Sequence, residues 1–540
     1  NKFYRVTDID FDSDANAEFT IDDAKVSYKN YYKDRYHVEI RNPRLPLLVS
    51  RVKGKDGKKM EVRLIPELCQ VAGMDKVSPQ DRAKIMRSLC RETIPPLRMK
   101  YVGKVLTRLT DVRDDRHFPL EVSKRPVEVD ARRLDEPHPG TPNGSFKLQW
   151  RDIGRKTMFR VLSLRRWAVL CPENANLNRF LDCLSDNMNA LGLEPSRPVV
   201  ETFSTRNQRN DVAEAELLLD RINLTDLQMI VVMVSNHASS RFYASIKRVL
   251  SETYGIPSQF VRERNVRETK MAVIGKIGVQ IASKIGCEPW TIGGGFGDPF
   301  RNAMVVGIDC HHSRSLSVSA VVCSLNPTMS KFYSRCYFQS EGQELSTALT
   351  LCLKSAIERY ARQNKRYPSS IVILRDGIGD GQLQNIGQAE CHQVLQTFEM
   401  LPTRSDGSPP PKLTYIVVKK RLNARFFAED QRGGIGNPDA GIVVDTVVTM
   451  ERWRDFFMIP QRVNQGTATP SHFNILADHN KFSLDHLQLL CYKLCHMYFN
   501  WAGAIRVPCV CQYAHKLAFV AGTCCKKEPK DVLFENLYYL

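Results

Sequence analysis

Two aspartates follow two short apolar segments in the second half of the chain. Asp309 comes directly after the apolar run at residues 303–308, and Asp376 lies just beyond the run at 371–374. Apolar runs of this length predict buried strands. If the strands are neighbours in a parallel sheet, both carboxylates lie at one edge of it, where oxygen ligands bind Mg²⁺. Two such ions promote phosphodiester hydrolysis by activating water and stabilising the leaving oxygen.

The order of the surrounding elements predicts that these strands are neighbours. The pattern predicts strands at about residues 303–309, 315–321 and 332–338, followed by a helix at 344–362. A strand at 371–374, a further helix and a strand at 415–418 come next. Three strands, a helix, a strand, a helix and a strand is the order of an RNase H-like fold. A single aspartate at a strand end more often begins a turn than binds a metal, so the prediction depends on the pair and on this order.

The first 160 residues predict two smaller parts. Residues 1–72 contain short strand-like segments with aromatic residues between them, among them 26–28 and 37–40, so we expect a small β-rich module. Residues 73–160 contain one helix and then extended segments rich in Pro and Arg. We interpret this second part as a linker that packs against its neighbours.

Residues 161–292 alternate strands and helices, which predicts a parallel, doubly wound sheet. The predicted helices include 177–191, with apolar residues on one face, and 267–284. The glycines at positions 293–295 predict a hinge before the last domain, residues 293–540.

The composition limits the class of protein. A chain of 540 residues is too long for one hydrophobic core, so three or four domains are expected. Hydrophobic residues make up 43% and charged residues 25%, which is typical of globular proteins. The net charge of +18 is spread along the chain rather than gathered in one tail. This distribution favours a long channel for a polyanion such as nucleic acid.

The cysteines and apolar runs bear on the compartment. The sixteen cysteines have irregular spacing and no paired C-x-x-C, which predicts a reducing intracellular compartment. Cys491 and Cys495 fit the core of a helix better than a zinc site. No apolar run has membrane-spanning length and nothing resembles a signal peptide. The start at Asn1, in strand-like sequence, predicts that an earlier part of the protein precedes it.

Five motifs identify a family. They are VGIDCHH at 306–312, ILRDGIGDGQ at 373–382, YIVVKKR at 415–421, GTATPSH at 466–472 and CYKLCHMY at 491–498. Their order and spacing resemble the PIWI domain of Argonaute proteins, and the resemblance to the Piwi clade extends over the whole chain. It implies an α/β multidomain protein, with a partial PAZ β module at 1–72, an L2 linker region at 73–160, a Rossmann-like MID domain at 161–292 and an RNase H-like PIWI domain at 293–540.

The resemblance implies a catalytic tetrad that holds two Mg²⁺ or Mn²⁺ ions. The tetrad maps onto Asp309, Glu344, Asp376 and His515, and all four residue types are present, so we expect a protein that cuts RNA. Glu341 is the alternative to Glu344, which the preceding glutamine favours. Glu344 taken alone fits an acid at a helix N-terminus, and a histidine on a helix is more often structural than a ligand.

Three nearby residues have weaker claims. Asp380 is an alternative metal ligand, whereas His311 and His312 have no place in the tetrad and are interpreted as structural.

The resemblance also implies a pocket for the 5′ phosphate of a guide RNA. Its residues are Tyr243, Lys247, Gln259, Gln280 and Lys284. Tyr243 and Lys247 are one helical turn apart and share a face, although a lone Tyr or Lys on a helix is usually solvated. Other Argonautes carry Lys where this chain has Gln280. In the Piwi clade a divalent cation replaces that charge, so we expect a third ion held by Gln280 and the carboxylate of Leu540.

Tyrosines near the amino-terminus form a third candidate site. Tyr31 and Tyr36 fit the positions that bind the guide's 3′ end in a PAZ domain. Aromatic residues in a small β module are often core residues, and that alternative stays open.

The resemblance implies a germline protein of piRNA-guided silencing. It would bind a 5′-phosphorylated guide RNA, cleave complementary RNA such as transposon transcripts, and act in perinuclear cytoplasmic granules, with the nucleus as the alternative. Tudor-domain proteins are expected partners through a preceding N-terminal tail, and no membrane partner is expected. The alternatives are a guide-binding protein that does not cut and another RNase H-fold nuclease, such as a transposase or a Holliday-junction resolvase.

Overall fold

The computed structural model describes most of the chain. The residues outside the description are 1–3, 5, 22–23, 54–58, 71–76, 78, 112–121, 124, 143, 148, 150–152, 154–155, 174, 204–216, 218, 220–221, 223, 236–239, 313–316, 340–347, 402–408 and 430–432. The chain divides into two compact units, Asn1–Thr93 and Ile94–Leu540.

The strands of the described residues are β1 (Asp8–Asp10), β2 (Glu18–Ile21), β3 (Ala24–Ser27), β4 (Leu47–Lys53), β5 (Lys59–Leu64), β6 (Arg132–Arg133), β7 (Pro139–Thr141), β8 (Gly144–Ser145), β9 (Trp167–Pro172), β10 (Val199–Phe203), β11 (Met229–Val234), β12 (Ser258–Arg262), β13 (Thr291–Ile292), β14 (Ala303–His312), β15 (Ser317–Ser324), β16 (Phe332–Gln339), β17 (Ser370–Asp376), β18 (Lys412–Lys419), β19 (Ala428–Glu429), β20 (Ile435–Gly436), β21 (Ile442–Val444), β22 (Arg454–Ile459) and β23 (Ser471–Asp478).

The α-helices of the described residues are α1 (Tyr28–Tyr36), α2 (Pro79–Glu92), α3 (Pro95–Asp111), α4 (Asn178–Leu191), α5 (Ser240–Val249), α6 (Glu263–Glu268), α7 (Met271–Lys284), α8 (Ala348–Asn364), α9 (Leu383–Glu399), α10 (Leu484–Cys495) and α11 (Cys509–Cys524). None of these helices combines the length and apolar character needed to cross a bilayer. All sixteen cysteines are free thiols.

The first unit is less β-rich than its sequence predicts. It contains the antiparallel sheet β1-β4-β5 and the hairpin β2-β3. The strand predicted at 26–28 is confirmed for its first two residues, which end β3, and the chain then turns into α1 at Tyr28. The strand predicted at 37–40 is wrong, because these residues are irregular. The hydroxyl of Ser27 accepts a hydrogen bond from the backbone N–H of Asn30 (3.3 Å), so it caps α1 and ends the preceding strand.

The alternating region forms the predicted parallel, doubly wound sheet. Its strand order is β10-β9-β11-β12, and every neighbouring pair is parallel. Apolar residues of α4 and α7 share a core cluster with one face, and Ile246 of α5 packs with the other. The predicted helix at 267–284 is two helices, α6 and α7, because the chain turns at Thr269, whose φ is 45°.

The last region forms the predicted RNase H-like sheet. It is part of a nine-stranded sheet of order β16-β15-β14-β17-β18-β23-β22-β21-β6, in which β14, β17 and β18 are parallel neighbours. Residues 132–133 of the predicted linker form β6 at one edge, so this part of it packs against the sheet, as predicted. Apolar residues of α11 pack on one face of the sheet, and those of α8 and α9 pack on the other.

Glycine sets how closely α11 approaches the sheet. A Cβ added to Gly307 in β14 would lie 2.2 Å from the backbone carbonyl oxygen of Val510, at the start of α11. Any side chain at position 307 would push the helix away. The close approach of the helix backbone lets His515 of α11 reach Asp309 on β14.

Candidate functional sites

Asp309 and Asp376 lie at neighbouring positions on adjacent strands. Ile308 pairs with Arg375 in the parallel register of β14 and β17, so the aspartates that follow them are side by side. A Cβ added to Gly377 would lie 3.2 Å from the Asp309 Oδ1 atom, which brings the end of β17 close to that carboxylate. The Nδ1 atom of His515, on α11, lies 2.8 Å from the Asp309 Oδ2 atom. The structure therefore brings together the three tetrad residues that it describes.

These carboxylates are buried and partly neutralised by the protein. Asp309 is 5% exposed and Asp376 is 2% exposed. The Lys420 Nζ atom lies 2.5 Å from the Asp376 Oδ2 atom. Burial, and next the charge of Asp309, raise the pKa of the Asp376 carboxyl above its usual value, while Lys420 opposes that shift. Two buried carboxylates that repel each other are unfavourable unless further positive charge lies beside them.

One predicted metal ligand lies outside the residues that the structure describes. Glu344 and its alternative Glu341 lie outside the described residues. Within the part of the chain that the structure describes, no group of three or more His, Cys, Asp or Glu side chains is close enough together to hold a metal ion. The two buried carboxylates have the chemistry of Mg²⁺ or Mn²⁺ ligands, whereas the imidazole of His515 is a softer donor that contacts Asp309.

A buried ion pair fixes the end of β17, and sequence reasoning missed it. The Arg375 Nε atom lies 3.4 Å from the Glu390 Oε2 atom, and the Tyr415 hydroxyl donates a hydrogen bond to the same carboxylate. The Arg375 Nη1 atom also donates to the backbone carbonyl of Asp376 (2.6 Å). Arg375 thus holds the backbone of Asp376 from behind. A charged residue inside an apolar strand was the available signal.

The weaker candidates lie at the margin of this site. Asp380 pairs with Lys419, and its side chain is 67% exposed. His312 contacts Ser317, with its Nδ1 atom 2.9 Å from the hydroxyl oxygen. His311 packs edge-on against Phe519, with ring centroids 5.5 Å apart.

Four of the residues predicted for the 5′ phosphate pocket form one hydrogen-bonded chain. The Lys284 ammonium donates to the side-chain oxygen of Gln259 and to the backbone carbonyl of Ser258, both at 2.9 Å. The Lys247 ammonium donates to the Ser258 hydroxyl (3.2 Å). The Gln259 amide in turn donates to the side-chain oxygen of Gln280 (3.2 Å). The structure therefore brings Lys247, Gln259, Gln280 and Lys284 together around β12.

Two groups from distant parts of the sequence complete this cluster. Lys247 donates to the backbone carbonyl of Tyr538 (2.7 Å), so the carboxyl-terminal segment folds back onto the lysines. The Gln280 amide donates to the side-chain oxygen of Asn500 (2.6 Å). Leu540, two residues after Tyr538, is partly buried. Among the described contacts, no hydrogen bond or ion pair joins its carboxylate to Gln280. No local pattern marks Asn500 or Tyr538, because their roles depend on long-range contacts.

The two lysines are buried without a carboxylate partner among the described residues. Lys247 is 2% exposed and Lys284 is 3% exposed. Burial lowers the pKa of Lys247 to about 8. Burial, and next the charge of Lys247, lower the pKa of Lys284 well below its usual value. An anion between them would relieve both effects.

The aromatic candidates are half-exposed or exposed. Tyr243 lies one turn before Lys247 on α5, is 37% exposed, and packs against Phe260 with ring centroids 4.5 Å apart. Tyr31 and Tyr36 lie on α1 rather than on a strand, with ring centroids 5.9 Å apart. A hydrogen bond to Tyr36 is the main cause that raises the pKa of the Tyr31 hydroxyl.

Two family models match the chain. A Piwi domain model matches residues 229–526 and a PAZ domain model matches residues 1–92. The boundaries that the sequence predicts for the MID, linker and PIWI parts stay predictions.

Curated relatives and solved structures are similar over the whole chain. Piwi-like protein 1 of Gallus gallus is 35% identical over 100% of this chain and 63% of its own length. Piwi-like protein 1 of Danio rerio is 34% identical over 100% and 64%. The chain thus spans less than two thirds of these relatives. The crystal structure of Drosophila Piwi matches with a TM-score of 0.76 and 28% identity, over 100% of this chain and 72% of that one. Kluyveromyces polysporus Argonaute with a guide RNA has the same fold, with a TM-score of 0.74 and 18% identity, over 95% of this chain and 64% of that one.

Proposed function

The chain belongs to the Piwi clade of the Argonaute family, and on that premise we propose that it is a guided endoribonuclease. In this proposal it binds a short 5′-phosphorylated guide RNA, a piRNA, and cuts RNA that pairs with that guide. The observation that supports the proposal best is the buried pair Asp309 and Asp376, side by side on parallel strands with His515 against the first.

The cutting reaction is assigned to the RNase H-like sheet. Asp309, Asp376, His515 and Glu344 would hold two Mg²⁺ or Mn²⁺ ions, which activate the attacking water and stabilise the leaving oxygen of a phosphodiester. His515 orients the Asp309 carboxylate through their 2.8 Å contact. Arg375 fixes the backbone of Asp376. Lys420 lies 2.5 Å from the Asp376 carboxylate and would have to release it, at least in part, when the ions bind.

The guide's 5′ end is assigned to the lysine cluster. Lys247 and Lys284 supply the positive charge, Gln259 hydrogen-bonds to Lys284, and Tyr243 offers a ring to the first base. Such contacts position a strand without reading its sequence. A third divalent ion, held by Gln280 and the Leu540 carboxylate, would join the phosphate to this pocket. Tyr31 and Tyr36 are assigned to the guide's 3′ end.

The cellular setting is part of the same proposal. The targets would include transposon transcripts in germline cells, and the protein would act in perinuclear cytoplasmic granules or in the nucleus. Tudor-domain proteins would bind an N-terminal tail of the whole protein.

Sequencing the RNA that copurifies with the protein, together with a cleavage assay, tests the proposal. The expected result is a population of short 5′-phosphorylated RNAs and Mg²⁺-dependent cutting of a complementary RNA at one position. Bound RNA without cutting would favour a guide-binding protein that recruits partners. The absence of short RNA would favour another RNase H-fold nuclease.

A further inference from the structure

An exposed aromatic residue lies on the helix that carries His515. Most residues of α11 are buried against the sheet, and its outward side carries Gln512, His515, Lys516, Phe519 and Thr523. Phe519 is 47% exposed, although burial out of water stabilises a phenylalanine side chain. The ring therefore lies at the surface in the same row as the histidine that contacts Asp309.

The contact between Phe519 and His311 lies next to the contact between His515 and Asp309 and joins the same helix to the same strand. Asp309 and His311 are two residues apart on β14 and so point to the same face. His515 and Phe519 are one turn apart on α11 and share its outward side. The His515 Nδ1 and Asp309 Oδ2 atoms lie 2.8 Å apart, and the rings of Phe519 and His311 meet edge to face with their centroids 5.5 Å apart. Two residues of a strand advance about 6.8 Å, so the two contacts are neighbours along β14.

A glycine allows His311 to lie beneath the helix. A Cβ added to Gly522 would lie 2.6 Å from the Cδ2 atom of His311. With glycine there, the imidazole fits under α11 and supports the Phe519 ring from one side. Phe519 is 47% exposed in the described part of the chain, which leaves part of its ring available to a ligand.

We propose that Phe519, supported by His311, packs against the ribose of the target nucleotide next to the scissile phosphate. The proposal rests on the function proposed above, because it assigns the ring to a strand that crosses the carboxylates. A target paired with its guide turns its bases inward, so a surface ring beside the cut meets the sugar. An aromatic ring can pack against the carbon atoms of the ribose, and this contact does not depend on the identity of the base. Phe519 would thus help to hold the target over Asp309 and Asp376.

Leu351 provides a matched control. It is 58% exposed, and its helix α8 packs on the opposite face of the sheet from α11. If exposed apolar residues of this sheet domain were without function, Phe519 and Leu351 would respond alike to substitution.

Kinetics with guide-loaded protein form the first arm of the test. Phe519→Ala should lower kcat/KM for target cleavage roughly three- to tenfold, mainly through KM, while guide loading stays unchanged. Phe519→Leu should retain most of the activity because it keeps an apolar contact, and Leu351→Ala should have no effect. A thermal melt of each variant checks that it folds. Parent-like cleavage by a folded Phe519→Ala variant would overturn the inference.

Photocrosslinking forms the second arm. With p-benzoylphenylalanine in place of Phe519, in an Asp376→Ala background that does not cut, the crosslink should map to the sugar of the target nucleotide beside the cut. A crosslink to the guide alone, to a base, to a distant nucleotide, or to no RNA would overturn the inference while leaving the guided cutting of the parent intact. If the guide-loaded parent cuts no complementary RNA, the proposed function fails as well.

Discussion

The carboxylate site and the lysine cluster are both deeply buried, but their charges are balanced differently. Asp309 contacts His515 and Asp376 pairs with the ammonium of Lys420, so a basic side chain of the protein faces each carboxylate. Lys247 and Lys284 instead contact carbonyls, a hydroxyl and an amide.

The difference bears on what each site requires from a ligand. A buried charge is costly unless it is paired. Among the residues that the structure describes, the lysine cluster has no anion, and a terminal phosphate carrying about −1.5 to −2 charge would supply one. The carboxylate site already has Lys420 beside it, so a metal ion must compete with that ammonium. Guide binding and metal binding should therefore respond to different substitutions.

The largest expected effect separates the two sites completely. Asp376→Ala should lower target cleavage by at least about a thousandfold, since a lost metal ligand costs several kcal/mol of transition-state stabilisation. Guide binding should persist because the lysine cluster is unchanged. Cleavage of a fully paired target and guide affinity are measured on the same preparation. Asp380→Ala, which removes an exposed carboxylate, is the control, and cleavage by Asp376→Ala at the parent rate would refute the site.

The converse change should act on the lysine cluster alone. Tyr243→Ala with Lys247→Ala should weaken binding of 5′-phosphorylated guides by about ten- to a hundredfold, because a hydrogen bond to a charged group contributes about 1.5–3 kcal/mol. The loss should be the same for guides of different sequence. Equilibrium binding of guides with 5′ phosphate and 5′ hydroxyl measures it, and normal loading of phosphorylated guides would contradict the assignment.

A third experiment asks whether the lysine cluster also uses a metal ion. Gln280 brings no charge, and a carboxylate of Leu540 placed there would repel the phosphate unless a cation bridges them. In an Asp376→Ala background, EDTA should weaken binding of 5′-phosphorylated guide more than binding of 5′-hydroxyl guide. Gln280→Lys should restore part of the metal-free binding. Equal sensitivity of both guides to EDTA would leave Gln280 as a plain hydrogen-bonding residue.

The smallest expected effect is a pH dependence that belongs to the lysine cluster. In the free protein, burial lowers the pKa of Lys247 to about 8 from 10.5, so its ammonium loses its proton as the pH rises through 8. A bound phosphate raises that pKa, so binding above pH 8 takes up a proton. Affinity for phosphorylated guide should therefore fall as the pH rises from 8 to 9, by up to about tenfold.

Two controls sharpen this measurement. Lys247→Met should reduce the pH dependence, with Lys284 accounting for what remains because burial also lowers its pKa. A 5′-hydroxyl guide should show little dependence on pH in the same range. A phosphorylated guide whose affinity stays constant from pH 8 to 10 would show that Lys247 does not pair with the phosphate.

The sequence by itself determined the parallel sheet of β9–β12, the strands β14 and β17 and the carboxylate pair that follows from them. Period and apolar runs are local signals, and they predicted β14, β17 and the parallel sheet of β9–β12 because buried strands need continuous apolar residues. Where a local cap competes with the strand pattern, the prediction failed. Ser27 begins α1, and the tyrosines after it lie on a helix.

Only the tertiary structure decided which groups balance the buried charges. Lys420 meets Asp376 across 44 positions of sequence, His515 meets Asp309 across 206, and the carbonyl of Tyr538 meets Lys247 across 291. Periodicity carries no information on such contacts, because they depend on how helices pack on a sheet and on the backbone approach that Gly307 permits. Local patterns specify which residues are buried, whereas the partner of a buried charge is set by packing over long distances in the chain.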